Sequence, residues 1–300
     1  MAKNVNRMVD DSRDTVRVVN DRVRSLTGND QRPVIFYTNG YEHWLWDDAN
    51  YPPRAVQGFF KKPELELMIQ RRTTRKPLAK AEINKAIVER YYQHRAIRRI
   101  GEAFEKDCDR KTLIVMATGA GKTRTVIALS DLLMRCNWAK RILFLADRVA
   151  LVKQAVKEFK IHLPEAPPVN LITDKNAEGR IFVSTYPTMM GLIDETKGSE
   201  RRFGAGHFDL IIIDECHRGG ANDEGNWRGI LEYFSPAVQL GLTATPKRKD
   251  NVDTYAYFGE PVFVYSLKEG INDGFLTPFK VKQIATTLDE YVYTPDDQVV

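Results

Sequence analysis

Thr112-Leu113-Ile114-Val115-Met116-Ala117-Thr118-Gly119-Ala120-Gly121-Lys122-Thr123 decides the fold of this 300-residue chain. A short β-prone run, 112–116, gives way to a glycine-bearing loop and then to a helical pattern over Thr123 to Arg135. Strand, loop and helix in that order read as a phosphate-binding loop. Glycines let the backbone curl until its N–H groups and the following helix N-terminus aim at phosphate oxygens, and a lysine reaches the outer phosphates. The candidate nucleotide-binding residues are Thr118, Gly119, Ala120, Gly121, Lys122, Thr123 and Arg124, with the Thr123 hydroxyl a candidate ligand of Mg2+. Against the pattern G-x-x-x-x-G-K-[ST], Met116 stands where the first glycine belongs. A bare Gly-Lys-Thr recurs by chance, so the strand before and the helix after carry the assignment.

Downstream, Leu210-Ile211-Ile212-Ile213 ends in Asp214-Glu215-Cys216-His217. Four apolar residues place the two carboxylates at a strand's C-terminal end, the edge at which open parallel sheets bind ligands. Asp214 is then a metal-holding acid for Mg2+ and Glu215 the base that polarises an attacking water, at a strand tip adjacent to that of the lysine loop. An acidic turn after a core strand is the bland alternative. His217 by itself reads as an ordinary polar residue, and with Cys216 it lacks further ligands at zinc spacing. Gly241-Leu242-Thr243-Ala244-Thr245-Pro246 sets two hydroxyls past another strand end, either a plain turn or a relay between the acids and whatever the protein moves.

The rhythm around these motifs is strand, loop, helix. Strands are predicted at Thr112 to Met116, Ile142 to Leu145, Ile181 to Val183, Leu210 to Ile213 and Val238 to Leu242, with helices at Thr123 to Arg135 and Val149 to Phe159. Crossovers of that length make neighbouring strands parallel, so the fold class is α/β, a parallel sheet sandwiched by helices. Upstream, residues 1–30 read as a helix. Val34 to Tyr37 and Tyr41 to Trp46 read as a hairpin around Asn39-Gly40, Tyr51-Pro52-Pro53 as a break, and Lys61 to Pro77 as a connector.

Composition excludes several classes. With 43% hydrophobic and 28% charged residues the chain is neither disordered nor low in complexity, and no apolar run approaches the ~20 residues that span a bilayer. Lys3 and Arg7 precede Met8-Val9-Asp10-Asp11 rather than an apolar signal, which makes a cytoplasmic location without membrane contact the expectation. Cys108, Cys136 and Cys216 show no C-x-x-C spacing. The net charge is +5, yet residues 71–100 hold ten Lys or Arg against Glu82 and Glu89. That density, with Tyr91 and Tyr92 beside it, either follows a nucleic-acid backbone or forms the solvated face of an amphipathic helix from Lys85 to Ile100.

In this order Ala-Thr-Gly-Ala-Gly-Lys-Thr, Asp-Glu-Cys-His and Thr-Ala-Thr-Pro resemble the motifs of superfamily 2 helicases, RecA-like P-loop NTPases that commonly lack the first glycine. The resemblance implies a glutamine motif at Arg90-Tyr91-Tyr92-Gln93, with Gln93 reading the adenine edge of ATP. It also implies DNA-backbone contacts from Arg148 and Thr185, and coupling of hydrolysis to movement through His217, Thr243 and Thr245. Phe36-Tyr37-Thr38-Asn39-Gly40-Tyr41-Glu42, Gln70-Arg71-Arg72-Thr73-Thr74-Arg75, Ser184-Thr185-Tyr186-Pro187-Thr188-Met189-Met190 and Gly270-Ile271-Asn272-Asp273-Gly274-Phe275-Leu276 are more specific. They resemble the restriction, or motor, subunit of type I restriction-modification enzymes, the HsdR family.

That resemblance implies a remnant of an α+β endonuclease domain at 1–60, a connector at 61–85, a RecA-like ATP-binding lobe at 86–285 and the start of a link at 286–300. It implies ATP and Mg2+ as cofactors, and double-stranded DNA with methyltransferase and specificity subunits as partners. The family's nuclease Glu-x-Lys signature does not occur before residue 100. Glu158-Phe159-Lys160 and Glu195-Thr196-Lys197 have the spacing but read as surface. A fragment with little ATP turnover on its own is the expectation. A superfamily 2 repair or remodelling helicase without nuclease, and a nucleotide-sensing docking module that never hydrolyses, are the rival readings.

Overall fold

Strands that are apolar on every residue need cover on both faces, and the chain supplies it. A computed structural model describes residues 33–47, 51–197, 200–216, 224–245 and 254–278. The expected helix over 1–30, His217 and the link at 286–300 lie outside them. Seven strands form one parallel sheet: β4 (Lys111–Met116), β5 (Ile142–Ala146), β6 (Pro168–Asn170), β7 (Ile181–Thr185), β10 (Leu210–Ile213), β11 (Val238–Thr243) and β12 (Phe263–Tyr265). Their order is β12-β4-β11-β10-β5-β7-β6, every neighbouring pair parallel. The lysine-loop strand β4 and the acid-bearing β10 are therefore not adjacent, as the sequence suggested. β11 stands between them.

Alternation along β4 shows how the faces divide. Ile114 and Met116 join the core under α2 (Tyr91–Glu105), α3 (Lys122–Arg135) and α4 (Val149–His162). Leu113 and Val115 join the core under α5 (Tyr186–Asp194), α6 (Glu224–Tyr233) and α7 (Thr254–Phe258). A short α8 (Leu267–Asn272) follows β12, and the two-residue strands β8 (Thr196–Lys197) and β9 (Glu200–Arg201) pair as a separate ribbon.

Ahead of this sandwich, β1 (Ile35–Thr38), β2 (His43–Asp47) and β3 (Tyr51–Val56) form an antiparallel sheet, followed by α1 (Lys62–Thr74). The expected hairpin is present, but β2 begins at His43 because the Asn39 side chain accepts from the amides of Tyr41 and Glu42 and closes a longer loop. Tyr51-Pro52-Pro53 does not break the sheet. It lies in β3, an edge strand, where prolines without N–H groups are tolerated. The 61–77 connector is largely helical. Helix α2 starts at Tyr91 rather than Lys85, since Asn84 ties its side chain to the Ala86 amide and its carbonyl to Ile87 and Val88 in a competing turn.

Much of the 71–100 basic stretch works inside the protein. Arg71 makes a bidentate pair with Asp209 at 2.6 and 2.7 Å, locking α1 to the residue before β10. Arg72 pairs with Asp47 at 2.7 Å, Arg98 donates to the carbonyls of Leu78 and Ala81, and Arg75 lies over the Trp138 ring. Tyr92 is buried, so only Tyr91 keeps an exposed face. Asp209 also accepts from the amides of Lys140 and Arg141, both at 2.8 Å. Removing it leaves a buried guanidinium and two amides unanswered. Asp209→Ala is expected to lower the unfolding free energy by about 3–5 kcal/mol in urea titration; a loss under about 1 kcal/mol would contradict this account of how α1 is held.

Candidate nucleotide-binding site

The loop after β4 explains why a methionine is acceptable at its start. Met116 closes β4 fully buried, and the left-handed residues come later, Gly119 at φ 82° and Gly121 at φ 80°. Only there does the backbone need glycine. A Cβ on Gly121 would also stand 2.6 Å from Gln93 Nε2. Thr118 and Gly119 are exposed, Ala120 is buried, Lys122 opens α3, Thr123 is half-buried and Arg124 is exposed on the first turn. The loop is braced from beneath: the Tyr92 hydroxyl donates to the Ala120 carbonyl at 2.9 Å, and Gln93 Nε2 donates to that of Gly121 at 3.3 Å. Gln93 thus meets the phosphate loop directly.

Lys122 Nζ donates to the Met116 carbonyl at 3.3 Å and stands 3.7 Å from Glu215 Oε1. The acids reach the loop across the end of β11. That strand finishes at Thr243, whose hydroxyl accepts from the Thr245 amide at 3.1 Å; Thr243 is buried and Thr245 exposed. Glu215 has φ 53°, a left-handed conformation unusual for a residue with a side chain. The turn is held on three sides, by Asp214 N–H to the Leu145 carbonyl, Cys216 N–H to the Leu242 carbonyl, and the Glu215 amide to Asp214 Oδ1 at 3.1 Å. Tyr186, on α5, donates to the Asp214 carbonyl at 3.0 Å.

Burial first, and then the neighbouring Glu215 charge, push the Asp214 carboxyl up to about 6, while Lys122 pulls it down. A carboxyl held so against its charge suits a hard divalent cation. Among the described residues no group of three or more His, Cys, Asp or Glu could hold a metal ion. A carboxylate such as Asp214 and a hydroxyl such as that of Thr123 are the kind of oxygen that Mg2+ takes from a protein, one or two at a time, with substrate phosphates completing its shell. Arg148 precedes α4 at the β5 tip, its side chain 68% exposed and Nε 3.4 Å from Asp147. Thr185 ends β7 beside it but is buried, donating to the Thr188 hydroxyl at 2.9 Å.

The structure thus gathers Gln93, residues 118–124, Asp214, Glu215, Thr243, Thr245, Arg148 and Thr185 along one edge of the sheet. Sequence reading missed Tyr92 and Tyr186, which brace the loop and the acid turn. Both lie inside motifs already quoted, yet a tyrosine's supporting role shows only once its hydroxyl is placed. Because Asp214 titrates higher folded than unfolded, its contribution favours the fold at low pH and is lost as pH rises from about 4 through 6. Without nucleotide or divalent metal, Asp214→Asn is expected to stabilise the chain by on the order of 2–3 kcal/mol at pH 7.5 and by nearly nothing at pH 4. Thermal melts at both pH values check this, and destabilisation at pH 7.5 would contradict it.

Comparisons with known proteins bear on the family and the fold. The family profile described as "Type III restriction enzyme, res subunit" matches residues 86–248, more than half of the chain. The type I restriction enzyme EcoAI endonuclease subunit of Escherichia coli is 43% identical over 212 residues, covering 69% of this chain and 25% of the relative. The chain thus spans about a quarter of that relative's length. An HsdR-subunit fragment of a type I restriction enzyme from Vibrio vulnificus YJ016 aligns with a TM-score of 0.51 at 32% identity, over 87% of this chain and 46% of that one. The Hef helicase domain of Pyrococcus furiosus, at 20% identity and TM-score 0.50, covers 67% of this chain and 43% of that one and shares the fold. The chain, a parallel sheet with a RecA-like α/β fold, belongs to the res-subunit family of restriction enzymes and is similar to the HsdR subunits of type I enzymes.

Proposed function

We propose that residues 86–278 form the ATP-hydrolysing lobe of a type I restriction enzyme motor subunit, which drives double-stranded DNA translocation in the service of cleavage. The observation that carries this reading is the approach of Lys122 and Glu215 to 3.7 Å across the end of β11. It puts a cation for triphosphate oxygens and a carboxylate for water within one small volume. In this reading the amides of 118–123 and Lys122 cradle the phosphates, and Gln93 selects the adenine edge. The Thr123 hydroxyl and Asp214 would hold Mg2+, which supplies charge neutralisation on the phosphate oxygens. Glu215 orients the attacking water and accepts its proton. Thr243, at the end of the strand between loop and acid, and Thr245, just past it, sense the state of both. Arg148 and Thr185 lie along the path of the DNA backbone, and His217 joins the coupling set.

The antiparallel β1–β3 sheet fits the end of an endonuclease domain, with α1 the connector to the motor. Methyltransferase and specificity subunits are the partners this reading implies, and the cytoplasm is where it would act.

The unliganded arrangement has a consequence for binding. Glu215 holds the amine that the phosphates need, so nucleotide must take Lys122 from Glu215 as it enters. Lys122→Ala is expected to weaken ATP binding by about tenfold or more, through loss of a charge-assisted contact. Glu215→Gln should bind ATP at least as tightly as the unaltered chain, yet lower DNA-stimulated turnover by about 10²–10⁴. Calorimetry with a slowly hydrolysed ATP analogue and phosphate-release assays read the two effects separately. Unchanged binding in the first variant together with unchanged turnover in the second would remove the motor reading.

A further inference from the structure

Six cations line a cleft that the nucleotide site does not use. Lys140 and Arg141 precede β5, Arg180 precedes β7, Arg201 and Arg202 lie at the end of the β8–β9 ribbon, and Lys61 precedes α1. The cleft encloses about 970 Å3 at the N-terminal ends of the strands. The length of β5 alone sets it roughly 16 Å from the edge that carries Lys122 and Asp214. Among the described residues the acids lining it are Glu178 and Glu195, and Glu195 is already engaged by Arg202 at 3.5 Å and Lys175 at 4.0 Å. Among the described residues Lys140, Arg180 and Arg201, all exposed, pair with no carboxylate.

The floor is aromatic but closed. Phe203 and His207 rings lie 4.8 Å apart with Phe182 beside them, and both phenylalanines are buried. Burial and the adjacent Arg141 press His207 down to about 3, so its ring stays neutral and stands 3.0 Å from Arg141 Nη1. That contact keeps the guanidinium in the wall. Such a floor offers no face on which a base could stack. The cleft also lacks what a protein partner would grip: none of the exposed large apolar side chains, Tyr41, Phe59, Tyr91, Val149, Ile161, Val264, Leu267 or Phe275, lines it. A polar, cationic wall over a sealed floor matches a phosphate backbone and little else.

We propose that this cleft is a second DNA-binding surface, which takes the phosphate backbone of duplex DNA without reading its sequence, on the side of the motor lobe opposite the nucleotide edge. It rests on the DNA-motor reading above. Lys61 continues the surface toward the small sheet, since its Nζ donates to the Arg201 carbonyl at 3.2 Å and it directly precedes α1.

The test is the triple variant Lys140→Glu, Arg180→Glu, Arg201→Glu in the full chain, with a thermal melt to show that it folds, and a short duplex of arbitrary sequence as probe. The proposal expects duplex affinity to fall by about tenfold or more near 0.1 M salt, and the slope of log K against log salt to drop by roughly 2–3. ATP-analogue affinity should not change, and duplexes of different sequence should lose equally. Native-like duplex binding by the triple variant, with loss in Arg148→Glu, would overturn the cleft and leave the DNA motor standing. Native-like duplex binding with lost binding of a polyglutamate peptide would overturn it in favour of an acidic protein partner. A native chain that binds no duplex would overturn both this proposal and the DNA reading on which it rests.

Discussion

Lys122 and Glu215 meet at 3.7 Å although their strands are not neighbours, and the rest of the functional edge is organised around that approach. One intervening strand, β11, sets the spacing between a loop that can surround phosphates and a turn that presents two carboxylates. A direct β4–β10 pairing would leave no place between loop and acid for Thr243 and Thr245. With β11 inserted, its end, which carries Thr243, lies between the strands of the loop and the acid turn. The electrostatics follow from the same spacing. Burial of the Asp214 carboxyl comes first and the neighbouring Glu215 charge second, and Lys122 offsets them only in part, which is why Asp214 holds its proton more tightly than an ordinary aspartate.

Left-handed backbone occurs at both the loop and the acid turn. The loop takes its two left-handed residues as glycines, whereas the acid turn takes its one as Glu215, at a cost glycine would avoid. Hydrogen bonds from Asp214 and Cys216 to flanking strands hold the turn in place regardless. In the proposed reading it is the Glu215 carboxylate that justifies a side chain there.

What could be read from residues alone follows the same physics. Central strands β4, β5, β7, β10 and β11 were legible because both their faces are buried and their residues are apolar throughout. The three-residue edge strands β6 and β12 were not, being too short for any period to register. Pro52 and Pro53 looked like a break because a proline forbids a central strand, and only the sheet order shows that β3 is an edge. The basic run over 71–100 left two readings open, a nucleic-acid face or the solvated side of an amphipathic helix. Three of its arginines, Arg71, Arg72 and Arg98, meet Asp209, Asp47 and backbone carbonyls, and the two carboxylates come from parts of the chain that local charge density does not show. The cationic cleft was hidden for the converse reason, since Lys61, Lys140, Arg180 and Arg201 are scattered in sequence and gathered only by the sheet.

The central claim is that one metal ion is shared between the triphosphate on the lysine loop and the Asp214 carboxylate. Mn2+ in place of Mg2+, with a slowly hydrolysed ATP analogue and aspartate labelled with 13C at the carboxyl, allows pulsed electron paramagnetic resonance to detect both partners of a single bound ion. The account predicts hyperfine coupling to nucleotide phosphorus and to an aspartate carboxyl carbon together, the carbon signal vanishing in Asp214→Asn. Phosphorus coupling with no aspartate signal, or an aspartate signal that survives the substitution, would contradict it.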